Sequence, residues 1–91
     1  MPVKVNIPSP FQRLTANNHQ VKVEAANILD MLDNLEKEFP GFKSRICDAK
    51  GRLHKFINIY INAEDIRFLH KEETALKDGD EVLIIPAMAG G

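Results

Sequence analysis

The chain has 91 residues, which is enough for one small domain and too few for a separate cofactor-binding domain. It carries 12 lysines and arginines against 13 aspartates and glutamates, for a net charge of −1. A domain that binds nucleic-acid phosphates would show a basic surplus, so nucleic acid is not an expected partner. With 44% hydrophobic and 27% charged residues, the composition is that of a folded globular protein and excludes extensive disorder.

Cysteine usage and hydropathy predict a cytoplasmic protein. The single cysteine, Cys47, cannot form an intramolecular disulfide, which favours a reducing compartment. No apolar run approaches the ~20 residues that a membrane span needs. The N-terminal residues 1–7 alternate like a strand and lack the apolar core of a signal peptide. We therefore expect no membrane partner.

Two short strands open the chain. Residues 3–7 alternate apolar and polar side chains, and residues 20–24 do the same, which predicts strands with one buried face each. Pro8-Ser9-Pro10 ends the first strand because proline cannot donate to a β-ladder. A long polar loop that includes residues 15–19 connects the two strands, so the pattern predicts a hairpin.

The clearest helical pattern begins after Asn27, a residue type that commonly caps helix N-termini. An apolar stripe at helical spacing predicts one buried face, and Pro40-Gly41 predicts the end of the helix. The polar residues 36–38 are expected to face solvent. The stripe consists of Ile28, Met31, Leu32, Leu35 and Phe39.

The second half of the chain is expected to hold three more strands. Residues 42–52 are predicted to be irregular, and Gly79 suits a tight turn because glycine tolerates positive φ. The last strand is largely apolar, which predicts a central place in the sheet. The three predicted strands cover residues 53–61, 66–69 and 81–85.

The element order β-β-α-β-β-β predicts a two-layer α+β domain, with a mixed sheet of four or five strands packed on one main helix. If the first hairpin and the last strand share that sheet, the first and last strands can lie side by side in parallel. That arrangement is the ubiquitin-like β-grasp. We expect residues 1–86 to form this domain and residues 87–91 to be a flexible tail with little to bury.

Residue parity predicts an open apolar face on this sheet. Side chains alternate between the two faces of a strand, so Phe56 and Tyr60 lie opposite the isoleucines that meet the helix. By the same rule Leu83 and Ile85 join the two aromatics. One helix cannot cover both faces, and exposed apolar patches mark protein interfaces. The inward set is predicted to be Ile57, Ile59, Ile61, Val82 and Ile84; the partner-binding set is Phe56, Tyr60, Leu83, Ile85 and Pro86, with Lys55 and Arg67 at its rim.

The usual motifs of catalysis and cofactor binding are absent from the sequence. Cys47, His19, His54 and His70 show none of the spacings of a zinc site, so no metal is expected. Neither of the glycine-rich phosphate loops occurs, and we expect no bound cofactor. A lone cysteine is usually a small buried hydrophobe, and this is the expectation for Cys47.

The C-terminus, in contrast, carries a specific signal. A terminal Gly-Gly arises by chance in roughly one chain in 200, given the average glycine content. Residues 87–91 are uncharged and thin enough to enter a narrow channel in another protein. No Cβ obstructs attack at the carbonyl carbon of Gly91, and conversion to an acyl-adenylate would make that carbon a good electrophile.

The residues of this tail carry a family resemblance. Residues 86–91, Pro-Ala-Met-Ala-Gly-Gly, preceded by Asp-Gly-Asp-Glu-Val at 78–82, resemble the MoaD/ThiS-type sulfur carriers, which have the β-grasp fold. Residues 51–68 and 5–8 are similar to the CysO-type branch, which serves cysteine biosynthesis. Met88 departs from the smaller or branched aliphatic residue expected at its position.

The resemblance implies a carrier and not an enzyme. A ubiquitin-activating-type adenylating enzyme would consume ATP to activate Gly91, and a sulfur donor would then convert it to a thiocarboxylate. In the CysO-type branch a PLP-dependent, cysteine-synthase-like enzyme uses that sulfur and a metallopeptidase trims the product. Gly90 and Met88 would contact these partners. Alternatives are a molybdopterin synthase small subunit, a thiamin-thiazole carrier, a ubiquitin-like protein modifier, or an interaction domain with an accidental Gly-Gly.

Overall fold

The structure is a computed structural model and describes residues 2–86; the predicted tail at 87–91 lies outside the described residues. Within residues 2–86 it holds five strands, two α-helices and three short 3-10 helices. The strands are β1 Pro2–Asn6, β2 Gln20–Glu24, β3 Ile57–Ile61, β4 Glu64–Asp65 and β5 Glu81–Pro86. The helices are α1 Ile28–Glu38 and α2 Phe42–Ile46, with 3-10 segments at Ser9–Thr15, Ile66–Phe68 and Lys71–Glu73.

The strands form one mixed sheet in the order β2-β1-β5-β3-β4. β1 and β5 are parallel neighbours, with Val5 beside Val82, while the remaining neighbours are antiparallel. The parallel pairing of the first and last strands and the central place of β5 confirm the predicted ubiquitin-like β-grasp.

The hydrophobic core lies between one face of the sheet and the helices. The predicted inward residues of β3 and β5 are all buried, and the first four residues of the α1 stripe are fully buried with them. Phe39, the last residue of the stripe, is partly buried against the same core. The face assignment made from parity is therefore confirmed.

The start of α1 follows from its capping residue. The Asn27 side chain accepts a hydrogen bond from the Asp30 backbone N–H at 2.7 Å, and the Asp30 carboxylate in turn accepts from the Ala26 N–H at 2.9 Å. These bonds satisfy backbone donors that a helix N-terminus otherwise leaves unpaired. The predicted N-cap is confirmed.

The expectation of irregular structure over residues 42–52 is wrong at its start, where α2 forms. Phe42 and Ile46, four residues apart, are both fully buried and hold this short helix against the core. The Glu36 carboxylate accepts the backbone N–H groups of Gly41 at 3.0 Å and Lys43 at 2.9 Å, which holds its pKa below the usual value. Glu36 thus links the two helices instead of simply facing solvent.

The predicted strands after residue 52 are also corrected. β3 starts at Ile57 because a turn precedes it, in which the Ile57 N–H donates to the His54 carbonyl at 3.0 Å. The segment predicted as a strand at 66–69 holds instead the 3-10 helix Ile66–Phe68, and the strand β4 lies just before it. The Asp65 carboxylate accepts the Arg67 backbone N–H at 2.9 Å, a local bond that competes with strand pairing.

Candidate functional site

The candidate site is the sheet face that the helices leave open. On β5, Val82 and Ile84 are fully buried, whereas Leu83 and Ile85 are 41% and 37% exposed. This alternation follows from the two-residue period of a strand, and it leaves two branched aliphatic side chains in solvent. Because β5 is the central strand, these side chains lie in the middle of the face.

Neighbouring strands extend this apolar centre on one side only. Tyr60 on β3 lies directly opposite Leu83, and Asn58 lies opposite Ile85. On the other side Leu83 pairs with Asn6 of β1, and Asn6 accepts a hydrogen bond from the Gln20 side chain at 2.8 Å. The open face is therefore apolar at Tyr60, Leu83 and Ile85, with Asn58 beside Ile85, and polar over β1 and β2. We call Tyr60, Leu83 and Ile85 the apolar patch.

Phe56 is exposed, but the parity argument that placed it beside Tyr60 is wrong. That argument assumed a strand from residue 53, and the structure starts β3 at Ile57, so alternation does not extend to Phe56. Its ring instead stacks on the His54 imidazole, with 5.0 Å between ring centroids and 10° between planes. Phe56 remains 43% exposed next to the start of β3 and so stays a candidate contact for a partner.

An ion-paired arginine lies beside the patch. The Arg67 guanidinium donates to Oδ2 of Asp65 from Nε at 3.0 Å and from Nη2 at 2.7 Å, and Nε also donates to Oδ1 at 3.2 Å. Asp65 lies opposite Tyr60 in the β3–β4 ladder. This ion pair lowers the pKa of the Asp65 carboxyl, and because Asp65 lies opposite Tyr60 the ion pair stands at the edge of the patch. The other predicted rim residue, Lys55, is exposed in the turn before β3.

The tail begins at the end of the central strand. Pro86, the last residue of β5, lies opposite Ile57 and directly follows the exposed Ile85. Any chemistry at the C-terminus is thus tethered to the apolar patch by a short stretch of chain. Met88, Gly90 and Gly91 lie outside the described residues, so their predicted roles stay predictions.

The remaining candidate groups do not assemble into a catalytic site in the part of the chain that the structure describes. No group of His, Cys, Asp and Glu side chains there could hold a metal ion. Cys47 is 3% exposed, and burial raises the pKa of its thiol to about 11, so it is the small buried hydrophobe that the sequence predicted. Among residues 2–86 no helix is long and apolar enough to cross a bilayer.

One exposed side chain was missed by the sequence analysis. Phe68, predicted to lie in a strand, is 83% exposed at the end of the 3-10 helix, whereas Ile66 of the same segment is buried. The signal that could have revealed this turn is Asp65 two residues before Arg67, since an aspartate often bonds a backbone N–H two positions on.

The parallel pairing of β1 with β5, the covering helix and the single open face define a ubiquitin-like protein of the β-grasp type. The model of the ThiS family matches residues 5–91, from β1 through the terminal Gly-Gly. The chain belongs to the ThiS family.

Individual relatives agree with this assignment. The sulfur carrier protein CysO of Mycobacterium tuberculosis is 39% identical over 93 residues, which cover all of this chain and all of that protein. The crystal structure of the BexX/CysO complex of Amycolatopsis orientalis contains a chain with a TM-score of 0.91 and 39% identity, at 98% coverage of this chain and 99% of that one. Small archaeal modifier protein 3 of Haloferax volcanii is 35% identical over 66 residues, covering 72% of this chain and 71% of that protein. The protein is thus CysO-like, and its full-length relatives are named as carriers rather than enzymes.

Proposed function

We propose that this protein carries sulfur on its C-terminal carboxylate for the biosynthesis of cysteine. The observation that carries the proposal is the full-length similarity to CysO, together with a family match that extends to Gly91. The geometry supports it, since β5 leads from the middle of an exposed apolar face directly into the tail. The domain then serves as a handle for recognition, and the tail presents the reacting group.

The first step activates the carboxylate of Gly91. A ubiquitin-activating-type enzyme joins the carboxylate oxygen to the α-phosphorus of ATP and releases pyrophosphate, which gives an acyl-adenylate. Hydrosulfide from a sulfur donor then attacks the carbonyl carbon and displaces AMP, leaving a thiocarboxylate. ATP is consumed by the partner enzyme, and the carrier itself binds no cofactor. Formation of the acyl-adenylate divides a difficult acyl substitution into two easier ones.

The second step passes the sulfur on. The ionised thiocarboxylate is a strong nucleophile at neutral pH, and its attachment to a protein keeps sulfide from diffusing free. A PLP-dependent, cysteine-synthase-like enzyme supplies an aminoacrylate, which the sulfur attacks. A shift of the acyl group from sulfur to nitrogen then leaves cysteine on Gly91 through a peptide bond. A metallopeptidase hydrolyses that bond in the cytoplasm and restores Gly90-Gly91.

A transfer assay tests the pathway. The thiocarboxylate form can be prepared by sulfide cleavage of a C-terminal intein thioester and mixed with the PLP-dependent enzyme and its activated serine substrate. The proposal predicts a product whose intact mass exceeds that of the carboxylate form by one cysteine residue, with the same product absent when the carboxylate form is the starting material. Unchanged mass with this enzyme, but sulfur transfer to a pterin or thiazole precursor in the matching assay, would assign the carrier to another branch of the family.

A second function has one observation in its favour, the similarity to small archaeal modifier protein 3. A protein modifier would join Gly91 to lysine side chains of other proteins through an amide bond. Digestion of the proteome followed by mass spectrometry distinguishes the two functions. Lysines that carry the C-terminal remnant of this chain would show conjugation, and remnants lost on deletion of its gene would establish it.

A further inference from the structure

One edge of β3 has no neighbouring strand along most of its length. β5 pairs with all five residues of β3, whereas the two-residue strand β4 pairs only with Tyr60 and Ile61. In the described part of the chain, the segment from Ile57 to Ile59 therefore lacks a strand neighbour on the side away from β5. Unpaired strand edges are templates for pairing with another chain.

The backbone direction on this edge follows from residue parity. The Asn62 N–H donates to the Glu81 carbonyl at 2.8 Å, so the even-numbered residues of this segment direct their backbone groups toward β5. Ile57 and Ile59 direct theirs to the opposite side. The Ile57 N–H is already bonded to His54, and the Ile57 carbonyl and Ile59 N–H lie beyond the last residue pair of the β3–β4 ladder.

A groove of about 180 Å³ lies along this edge. Buried or half-buried apolar side chains form its inner surface, and the 3-10 helices after β4 form its opposite wall. An added strand would therefore find both backbone groups to pair with and apolar side chains to pack on. The apolar lining consists of Leu53, Ile57, Ile59 and Ile66, and the polar lining includes Lys55, Arg67, Lys71 and Glu72.

The charges around the groove select the kind of segment that fits. Lys55 and Lys71 are exposed. Arg67 donates to Asp65 from Nε and Nη2, so its remaining guanidinium N–H groups can donate to another acceptor. Glu72 is the one carboxylate of the lining, and it accepts the Leu53 backbone N–H at 3.2 Å. A second copy of this chain would place its own three cations against Lys55, Lys71 and Arg67, and the like charges would repel. A segment with acidic side chains therefore fits best.

We propose that the groove binds an extended acidic segment of a partner protein, which adds a strand to the free edge of β3. Backbone hydrogen bonds to Ile57 and Ile59 set the position of the segment, its apolar side chains enter the groove, and its carboxylates meet Lys55, Lys71 and Arg67. The site adjoins the apolar patch through Arg67 but does not involve Gly91. The inference therefore stands whether or not the protein carries sulfur.

A nuclear magnetic resonance titration of the full chain tests this. The probe is a short synthetic peptide in which valine alternates with glutamate, and the control peptide has lysine in place of glutamate. Strand addition predicts shifts of the Ile57, Ile59 and Lys71 amide signals with the glutamate peptide and none with the lysine peptide. Absence of shifts at these residues with the glutamate peptide overturns the proposal.

Two further comparisons separate strand pairing from simple charge attraction. N-methylation of either all valines or all glutamates removes N–H donors from one side of the extended peptide. Pairing predicts that only one of the two methylated peptides loses binding, and equal binding of both would contradict it.

Lys55→Glu and Lys71→Glu are each expected to weaken binding by about tenfold, while Lys22→Glu on the far half of the sheet leaves it unchanged.

Discussion

Tyr60 lies directly opposite Leu83 on neighbouring antiparallel strands, both on the face of the sheet that the helices do not cover. The pair joins the central strand β5 to its neighbour β3, and Asp65, which lies opposite Tyr60, holds the Arg67 guanidinium in an ion pair. Two residues beyond Leu83, Ile85 leads into Pro86 and the tail. A partner that binds this pair therefore lies close to Pro86, where the tail begins.

The first prediction concerns docking on the activating enzyme. Tyr60→Ser and Leu83→Ser should each weaken binding to that enzyme by tenfold or more, since truncation of a central interface residue typically costs ~2 kcal/mol or more. Lys22→Ser, on the polar half of the same face, is the matched control and should bind normally. Isothermal titration calorimetry gives the affinities, after circular dichroism has shown that each variant is folded.

Phe56→Ser belongs in the same series because its ring is exposed outside the strand. If Phe56→Ser, Tyr60→Ser and Leu83→Ser all bind like the wild type, neither the apolar patch nor Phe56 has a part in recognition. Recognition would then rest on the tail alone.

The second prediction concerns the two faces of the sheet. Ile59→Ala should lower the free energy of unfolding by about 2–5 kcal/mol, because Ile59 is 1% exposed and its truncation leaves a cavity. Leu83→Ala, an equally large truncation on the open face, should cost much less. Urea denaturation followed by circular dichroism measures both, and equal losses would contradict the assignment of faces.

The third prediction is a pH dependence at the link between α1 and α2. Backbone N–H groups of Gly41 and Lys43 lower the pKa of Glu36 in the folded state, so the folded protein binds a proton less readily than the unfolded chain. The resulting stabilisation is present above the ordinary pKa of 4.5 and is lost as pH falls through the lowered value. Glu36→Gln should reduce stability at pH 7 and make little difference in strong acid. A constant difference between the variant and wild type across this range would exclude the linkage.

The fourth prediction concerns Cys47. With the pKa of its thiol raised to about 11 by burial, the folded protein should react hardly at all with a thiol reagent at pH 8. Labelling should become rapid only at urea concentrations that unfold the chain. The absorbance released from Ellman's reagent measures the labelling rate. Rapid labelling of the folded protein would show that the thiol is accessible.

The fold was predictable where pattern and burial agree over several residues. The α1 stripe, the Asn27 cap and the alternation in β1, β2 and β5 all depend on repeated positions that point the same way. α2 was missed because five residues with only Phe42 and Ile46 buried are too few to establish a period. The carboxylate that accepts the Lys43 N–H at the start of α2 belongs to Glu36, which lies in the preceding helix and not next to α2 in the sequence.

The candidate site was predicted in the same uneven way. Leu83, Ile85 and Tyr60 were placed correctly because they lie within regular strands, where parity holds. The strands predicted to contain Phe56 and Phe68 were wrong because local bonds, from Ile57 to the His54 carbonyl and from Arg67 to the Asp65 carboxylate, turn the chain there. The chemistry of Gly91 rests on the tail sequence and on family membership.

The fifth prediction separates the chemistry of the tail from the stability of the domain. Gly90→Val should leave the melting temperature nearly unchanged, since the last core residue of the part that the structure describes is Ile84. It should nevertheless abolish thiocarboxylate formation, because a branched side chain obstructs passage through a narrow channel. A variant that still accepts sulfur would show that the width of the tail is unimportant.

The most direct test of the account is the intact mass of the full chain after incubation with ATP, its activating enzyme and a sulfur donor. The account predicts a mass increase equal to the exchange of one oxygen atom for sulfur, located at Gly91 by fragmentation and absent when ATP is omitted. The chain that lacks Gly91 should keep its original mass under the same conditions. An unchanged mass for the intact chain, or a truncated chain that still gains sulfur, would contradict the central claim.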